Sequence, residues 1–193
     1  MHNLADATPQ IALGALDGRY RPAVAALIDH LSEPALNRMR VHVEVEWLIH
    51  LSTNGVVPGV RALTEAKQAA LREVVTTFGP DEIAEMAATE RVTQHDVKAV
   101  EYFLKARLAD IAPDDRGLAE LIHFCCTSED INNLSYALMV KGATATWLER
   151  ATALADAFAR HVAERGGRQV GVRDPGSRWT PGPAGDAWLV LAD

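Results

Sequence analysis

Apolar residues recur at spacings of three and four along most of the chain, and this rhythm divides it into helices. Residues 1–31 read as an extended lead-in and a short helix, with a turn at Asp17-Gly18 followed by Arg19, Tyr20 and Arg21. Ser32 is placed to cap a second helix, with Pro34 in its first turn, where a missing N–H does no harm. Leu36, Met39, Val43, Trp47 and Leu51 then mark one face from Glu33 to Ser52. The piece VHVEVEW also alternates with period two, but the unbroken run around it is too long for an ordinary strand. STNGVVPG is a loop. Thr64 opens the next helix, with Leu71, Val74, Val75 and Phe78 inward and Gly79 as its stop. PDEIAEMAATE is a short helix. In RVTQHDVKAVEYFLK the stripe Val97, Val100, Phe103, Leu104, Leu108 faces a core, which leaves His95, Lys98 and Tyr102 near another face.

APDDRG ends that helix and sets a domain boundary, so residues 1–116 form one helical domain and residues 117–165 begin a helical bundle. Leu118 to Cys126 reads as a helix with Leu121, Ile122 and Cys125 inward, interrupted by TSEDINN. A long helix follows to Arg165, with Ile131, Leu134, Leu138, Leu148, Ala151, Ala155, Phe158 and Val162 on one face. At ~1.5 Å per residue it would run roughly 55 Å, too far to be covered without partner helices. No segment reads as a strand, so the fold class is all-α. Residues 166–193 break the rhythm: they hold six of the 13 glycines, three of the nine prolines and half of the four tryptophans, and are expected to be an aberrant, disordered tail.

A net charge of −7 argues against a nucleic-acid-binding surface, although it leaves room for a small basic pocket. No apolar run approaches the ~20 residues of a membrane span. The N-terminus lacks the pattern of a secretory signal, and two adjacent cysteines, Cys125 and Cys126, suit a reducing cytoplasm. The histidines show no metal-ligand spacing, so no metal is expected. Two helix starts share the pattern T-x-x-D: TQHD from Thr93 and TSED from Thr127. Each reads as a capping box with Asp in place of Glu or Gln. Each also reads as an anion site, because a helix start offers free N–H groups and a partial positive charge. His95, Lys98, Thr127 and Ser128 add donors, and Arg19 could add a two-pronged one, or be a solvated loop charge.

DGRY, TQHDVKAVEYFLK and IHFCCTSEDINNLSYALM closely resemble the adenylosuccinate lyase family of the fumarase/aspartase superfamily, in order from Leu16 to Arg165. The resemblance implies an all-α N-terminal domain plus the first long helix of a superfamily-type bundle, incomplete. It implies elimination of fumarate from adenylosuccinate to give AMP, and from the succinyl-carboxamide ribotide of purine synthesis. A base takes a proton from the succinyl carbon and an acid protonates the departing nitrogen. The substrate is a small nucleotide, no cofactor is used, and full-length members are homotetramers with sites built from three subunits. By matching position, Arg19, Tyr20, Gln94, His95, Asp96, Thr127 and Ser128 are the expected substrate contacts, with His95 assisting catalysis and Thr93 capping its helix. Many relatives have Asn where this chain has Gln94.

The family's principal histidine lies in a THGQPATP-like motif and its serine in an SSxMPxKxNP loop; neither occurs in these 193 residues. The chain is therefore expected to be truncated and inactive alone. A reading frame lost near Gly166 would account for the tail, since a coding of GQPATP read two bases later yields P-A-G-D-A, as in Pro183–Ala187. The alternatives are a non-catalytic subunit that associates with full-length chains through its long helix, and a helical interaction module of other ancestry.

Overall fold

The computed structural model describes residues 18–165, together with Gly14 and Leu16. The expected lead-in, Asp17 and the tail at 166–193 with its frameshift reading lie outside the described residues. Contacts divide the chain into Met1–Leu148 and Glu149–Asp193. Of the second unit, residues 149–165 are described; they are helical, with Leu154, Phe158 and Val162 exposed.

A 3-10 helix, Arg21–Leu27, leads into α1 (Ile28–Leu31) and α2 (Glu33–Thr53). Then come α3 (Glu65–Thr76), α4 (Pro80–Thr93), α5 (Asp96–Ile111), a second 3-10 helix (Arg116–Leu121) and α6 (Ser128–Arg165). No strand occurs among the described residues.

The helix starts are chemically explicit. Ser32 Oγ accepts the Ala35 N–H at 3.2 Å, and Thr64 Oγ1 accepts the Lys67 N–H at 3.3 Å, as expected. Gly79 is not the stop of α3, which ends at Thr76 with Thr77 as its cap; it is the cap of α4, where its N–H donates to Glu82 Oε2 at 2.9 Å and Pro80 follows. Extended backbone at Gly79 suits a cap, and Pro at the first helical position lacks only an N–H that would go unpaired.

The core centres on α2 and α5. Val97, Val100, Phe103, Leu104 and Leu108 are all buried, as the α5 stripe predicts. Phe103 meets Phe78 edge-on at 5.9 Å, and the Arg107 guanidinium lies 4.4 Å from the Phe103 ring while bonding to Glu85 on α4. Burying one such aromatic contributes about 2–3 kcal/mol. The single face expected for α2 is not what forms. Val41, Val45, Leu48 and Ile49 are buried as well as Val43 and Leu51, because α1, α3, α5 and the second 3-10 helix all pack against α2. Leu118, Leu121 and Ile122 belong to the same core cluster as Val41 and Phe103.

Two further expectations fail. Leu118–Cys126 is not one helix: the 3-10 turn ends at Leu121, and His123 and Cys125 are left-handed (φ 62° and 58°). That reversal turns Cys125 out to solvent. On α6 the buried positions are Ile131, Ser135 and Met139, spaced by four, while Leu134 and Leu148 are exposed.

Candidate functional site

The α4–α5 junction is built differently from the expected Thr93 cap. Gln94 adopts the left-handed conformation (φ 52°) and ends α4, with its N–H bonded to Glu90 O at 2.8 Å and its side chain to Arg91 O at 2.7 Å. His95 then returns to extended backbone and caps α5 itself: its Nδ1 accepts the Lys98 N–H at 3.2 Å. Thr93 is the last residue of α4, and its hydroxyl braces the turn by donating to His95 O at 3.0 Å. Because Nδ1 accepts, the neutral ring carries its proton on Nε2, and Nε2 has no partner among the described residues. His95 is thus both cap and exposed N–H donor. Lys98 is not a free cation: Nζ bonds Glu101 Oε2 at 2.8 Å, which raises its pKa.

Asp96, the first residue of α5, accepts from Arg40 Nη2 at 2.6 Å and from the Val97 N–H at 2.8 Å. Partial burial opposes its charge, but the Val97 and Arg40 bonds outweigh it and hold the carboxyl below its ordinary range. At the start of α6, Asp130 reaches back to the Thr127 N–H at 2.7 Å and the Thr127 hydroxyl donates to the same oxygen at 2.9 Å. These bonds lower the Asp130 pKa, and they are the reciprocal half of the box expected from TSED. Arg19 and Tyr20 pair with each other, Nη2 to Oη 2.6 Å with the guanidinium 4.7 Å from the ring centre. Both are exposed, and no hydrogen bond joins them to the other five expected residues among those described.

The residues that relate the two helix starts were not read from the sequence. They form a polar stripe on α2, Asn37, Arg40 and Glu44, at steps of three and four on one face, continued one turn on by Trp47, which the spacing alone puts with the apolar positions. Arg40 is 5% exposed and bonds Asn37 Oδ1 (3.0 Å), Asp96 on α5 and Asn132 Oδ1 on α6 (2.9 Å). Fully buried Glu44 accepts the His123 N–H at 2.9 Å and pairs with its Nδ1 at 2.5 Å. Burial pushes the Glu44 carboxyl up, only partly offset by His123. Trp47 Nε1 donates to Phe124 O at 2.9 Å. The stripe therefore grips the segment from His123 to Asn132, which presents Thr127 and Ser128. Its one legible signal was a charged i,i+4 pair inside an apolar stretch. Cys126, in the gripped segment, has its thiol pushed up to about 11 by burial and by nearby Glu44 and Asp130.

The arrangement is an open wall rather than a closed cavity. A groove of about 540 Å³ between α4 and α5, lined by Glu85, Thr89, Val92, Thr93 and Tyr102, contains none of the seven expected contacts. Among the described residues no group of His, Cys, Asp and Glu is placed to hold a metal ion, and no helix is long and apolar enough to cross a membrane. What the wall offers is the His95 imidazole N–H and the Ser128 hydroxyl beside two helix starts, where Asp96 and Asp130 already take the Val97 N–H and the Thr127 N–H and hydroxyl.

Comparison with known proteins gives this arrangement a context. A family model described as lyase matches residues 18–165. The chain is 46% identical over 132 residues to adenylosuccinate lyase of Escherichia coli (strain K12), covering 68% of this chain and 29% of the relative. It is 44% identical over 132 residues to that of Haemophilus influenzae, with the same coverage, and 41% identical over 134 residues to that of Legionella pneumophila (strain Corby), covering 69% and 29%. The chain thus spans under a third of the length of these curated relatives.

Proposed function

We propose that this chain, which belongs to the lyase family, carries one wall of the nucleotide pocket of an adenylosuccinate lyase. The observation that carries the reading is the 46% identity to the Escherichia coli adenylosuccinate lyase across 68% of the chain. The reaction is β-elimination of fumarate from adenylosuccinate, giving AMP, and from the succinyl-carboxamide ribotide. Arg19, Tyr20, Gln94, Asp96, Thr127 and Ser128 contact the substrate, and the exposed Nε2–H of His95 assists at the reacting centre. Thr127 and Ser128 at the start of α6 hold an anionic end of the substrate. Residues 1–116 act as the N-terminal domain and 117–165 as the start of the bundle, in the cytoplasm, with homotetramers formed by full-length chains.

The chain has no turnover alone, because neither the principal histidine motif nor the serine loop occurs in it. Purified chain given adenylosuccinate should release no fumarate; turnover near the ~10 s⁻¹ of ordinary enzymes would overturn this. The pocket reading has its own test. A full-length relative made inactive at the positions matching His95 and Thr127 is mixed with this chain, and activity should return in mixed oligomers. Mixed oligomers without activity would sink it.

A second reading, a non-catalytic subunit that associates with full-length chains, is favoured by the exposed apolar residues of α6, Leu134, Val140, Trp147 and Leu148 among them.

A further inference from the structure

Arg40 stands apart from the residues assigned to the pocket. Its guanidinium is buried, and its three bonds run to three different helices: Nη1 to Asn37 on its own α2, Nη2 to Asp96 on α5, Nε to Asn132 on α6. Asn132 in turn donates to Glu129 Oε1 at 3.3 Å, one turn nearer the start of α6. Asp96 is the residue next to His95, and its second oxygen lies 3.7 Å from His95 Nδ1. A planar guanidinium presents its N–H groups in a rigid fork, so two acceptors bound to it are fixed relative to each other. Arg40 is buried while the Asp96 side chain keeps 46% of its surface exposed, so the pair gains little from Coulomb attraction and what it supplies most directly is fixed geometry.

We propose that Arg40 is a positioning residue that locks the start of α5 to the start of α6, setting His95 and Thr127 in a fixed relation and keeping His95 in its Nε2–H form. Its geometric part stands on the structure alone; its meaning for substrate rests on the pocket reading above. Arg40 bonds Oδ2 of Asp96 and offsets the charge of the whole carboxylate, while Oδ1, the oxygen near His95 Nδ1, accepts the Val97 N–H; Nδ1 is left to accept from the Lys98 N–H. Without Arg40, Asp96 becomes the better partner for a proton on Nδ1.

The test reads two reporters by NMR in the whole chain at pH 8: the imidazole ¹⁵N shifts of His95, which distinguish the tautomers, and the exchange rate of the Thr127 amide. In Arg40→Met both should change together, the Nδ1–H form appearing and Thr127 exchange rising at least tenfold, while Leu71 in α3 keeps its native exchange rate. Asp96→Asn, which removes the acceptor charge, should leave the Nε2–H tautomer in place even when combined with Arg40→Met. Native behaviour of either reporter in Arg40→Met overturns the proposal. Should that variant not fold, Arg40→Lys is read instead: a lysine cannot hold both acceptors in a plane, so native behaviour of either reporter there overturns it equally. AMP added to the native chain separates the two readings. If it shifts neither reporter, the pocket reading fails while the positioning role stands on the variants.

Discussion

Glu44 and Arg40 lie one helical turn apart in the stretch MRVHVEVEW, where the hydrophobic pattern treats them as the polar side of a helix. Burial reverses that meaning. Glu44→Ala would leave the His123 N–H without its acceptor and Nδ1 without its partner, and should cost about 3 kcal/mol in chemical denaturation. A cost below about 1 kcal/mol would show that water replaces the carboxylate. Asp96 has a pH signature. Its pKa is lower in the folded state than in the unfolded chain, where it is about 3.9. Its stabilising contribution is therefore present above the unfolded value and lost as pH falls through the folded one. The stability gap between the native chain and Asp96→Asn should be largest at neutral pH and shrink in acid; a gap independent of pH would count against the Arg40 pairing. Gln94 sits left-handed, so Gln94→Gly should stabilise by about 1 kcal/mol. Naming His95 from its motif was within reach of the sequence. That His95, not Thr93, caps α5 depends on a left-handed residue before it, which Gln does not advertise as Gly would.

Among the helices, α5 was legible because one side packs on the core and the other meets solvent, so period and burial coincide. Helix α6 misled for a related reason. It has apolar residues on more than one side, and the packed line mixes Ile131 and Met139 with small or polar residues: Ser135 is fully buried, Gly142 lies against His30, and Thr146 Oγ1 meets His30 Nε2 at 3.1 Å. A Cβ on Gly142 would stand 2.5 Å from His30 Nδ1. Gly142→Ala should therefore destabilise by about 1 kcal/mol or more in thermal melts. In a His30→Ala background the sign should flip, because Ala then gains about 1 kcal/mol of helix propensity with nothing to strike. The same sign in both backgrounds would remove His30 as the cause.

At the scale of the molecule, α6 carries exposed apolar side chains that a helix ordinarily buries, with Trp147 64% exposed. Leu134→Ser with Trp147→Ser should weaken self-association or pairing with full-length relatives in sedimentation experiments, without lowering helix content. Unchanged association would place the contact elsewhere. Local spacing and residue types within a turn or two were enough for the helical class, for most of the breaks and for the neighbourhood of the two helix starts, though not for the reversal after Leu121 or the cap of α5. Only the tertiary structure decided which sides of α2 and α6 are buried, that Cys125 turns outward, and that Arg40 ties Asp96 to Asn132. Those contacts join residues 56 and 92 positions apart, and no local pattern encodes which distant acceptor a buried guanidinium will find.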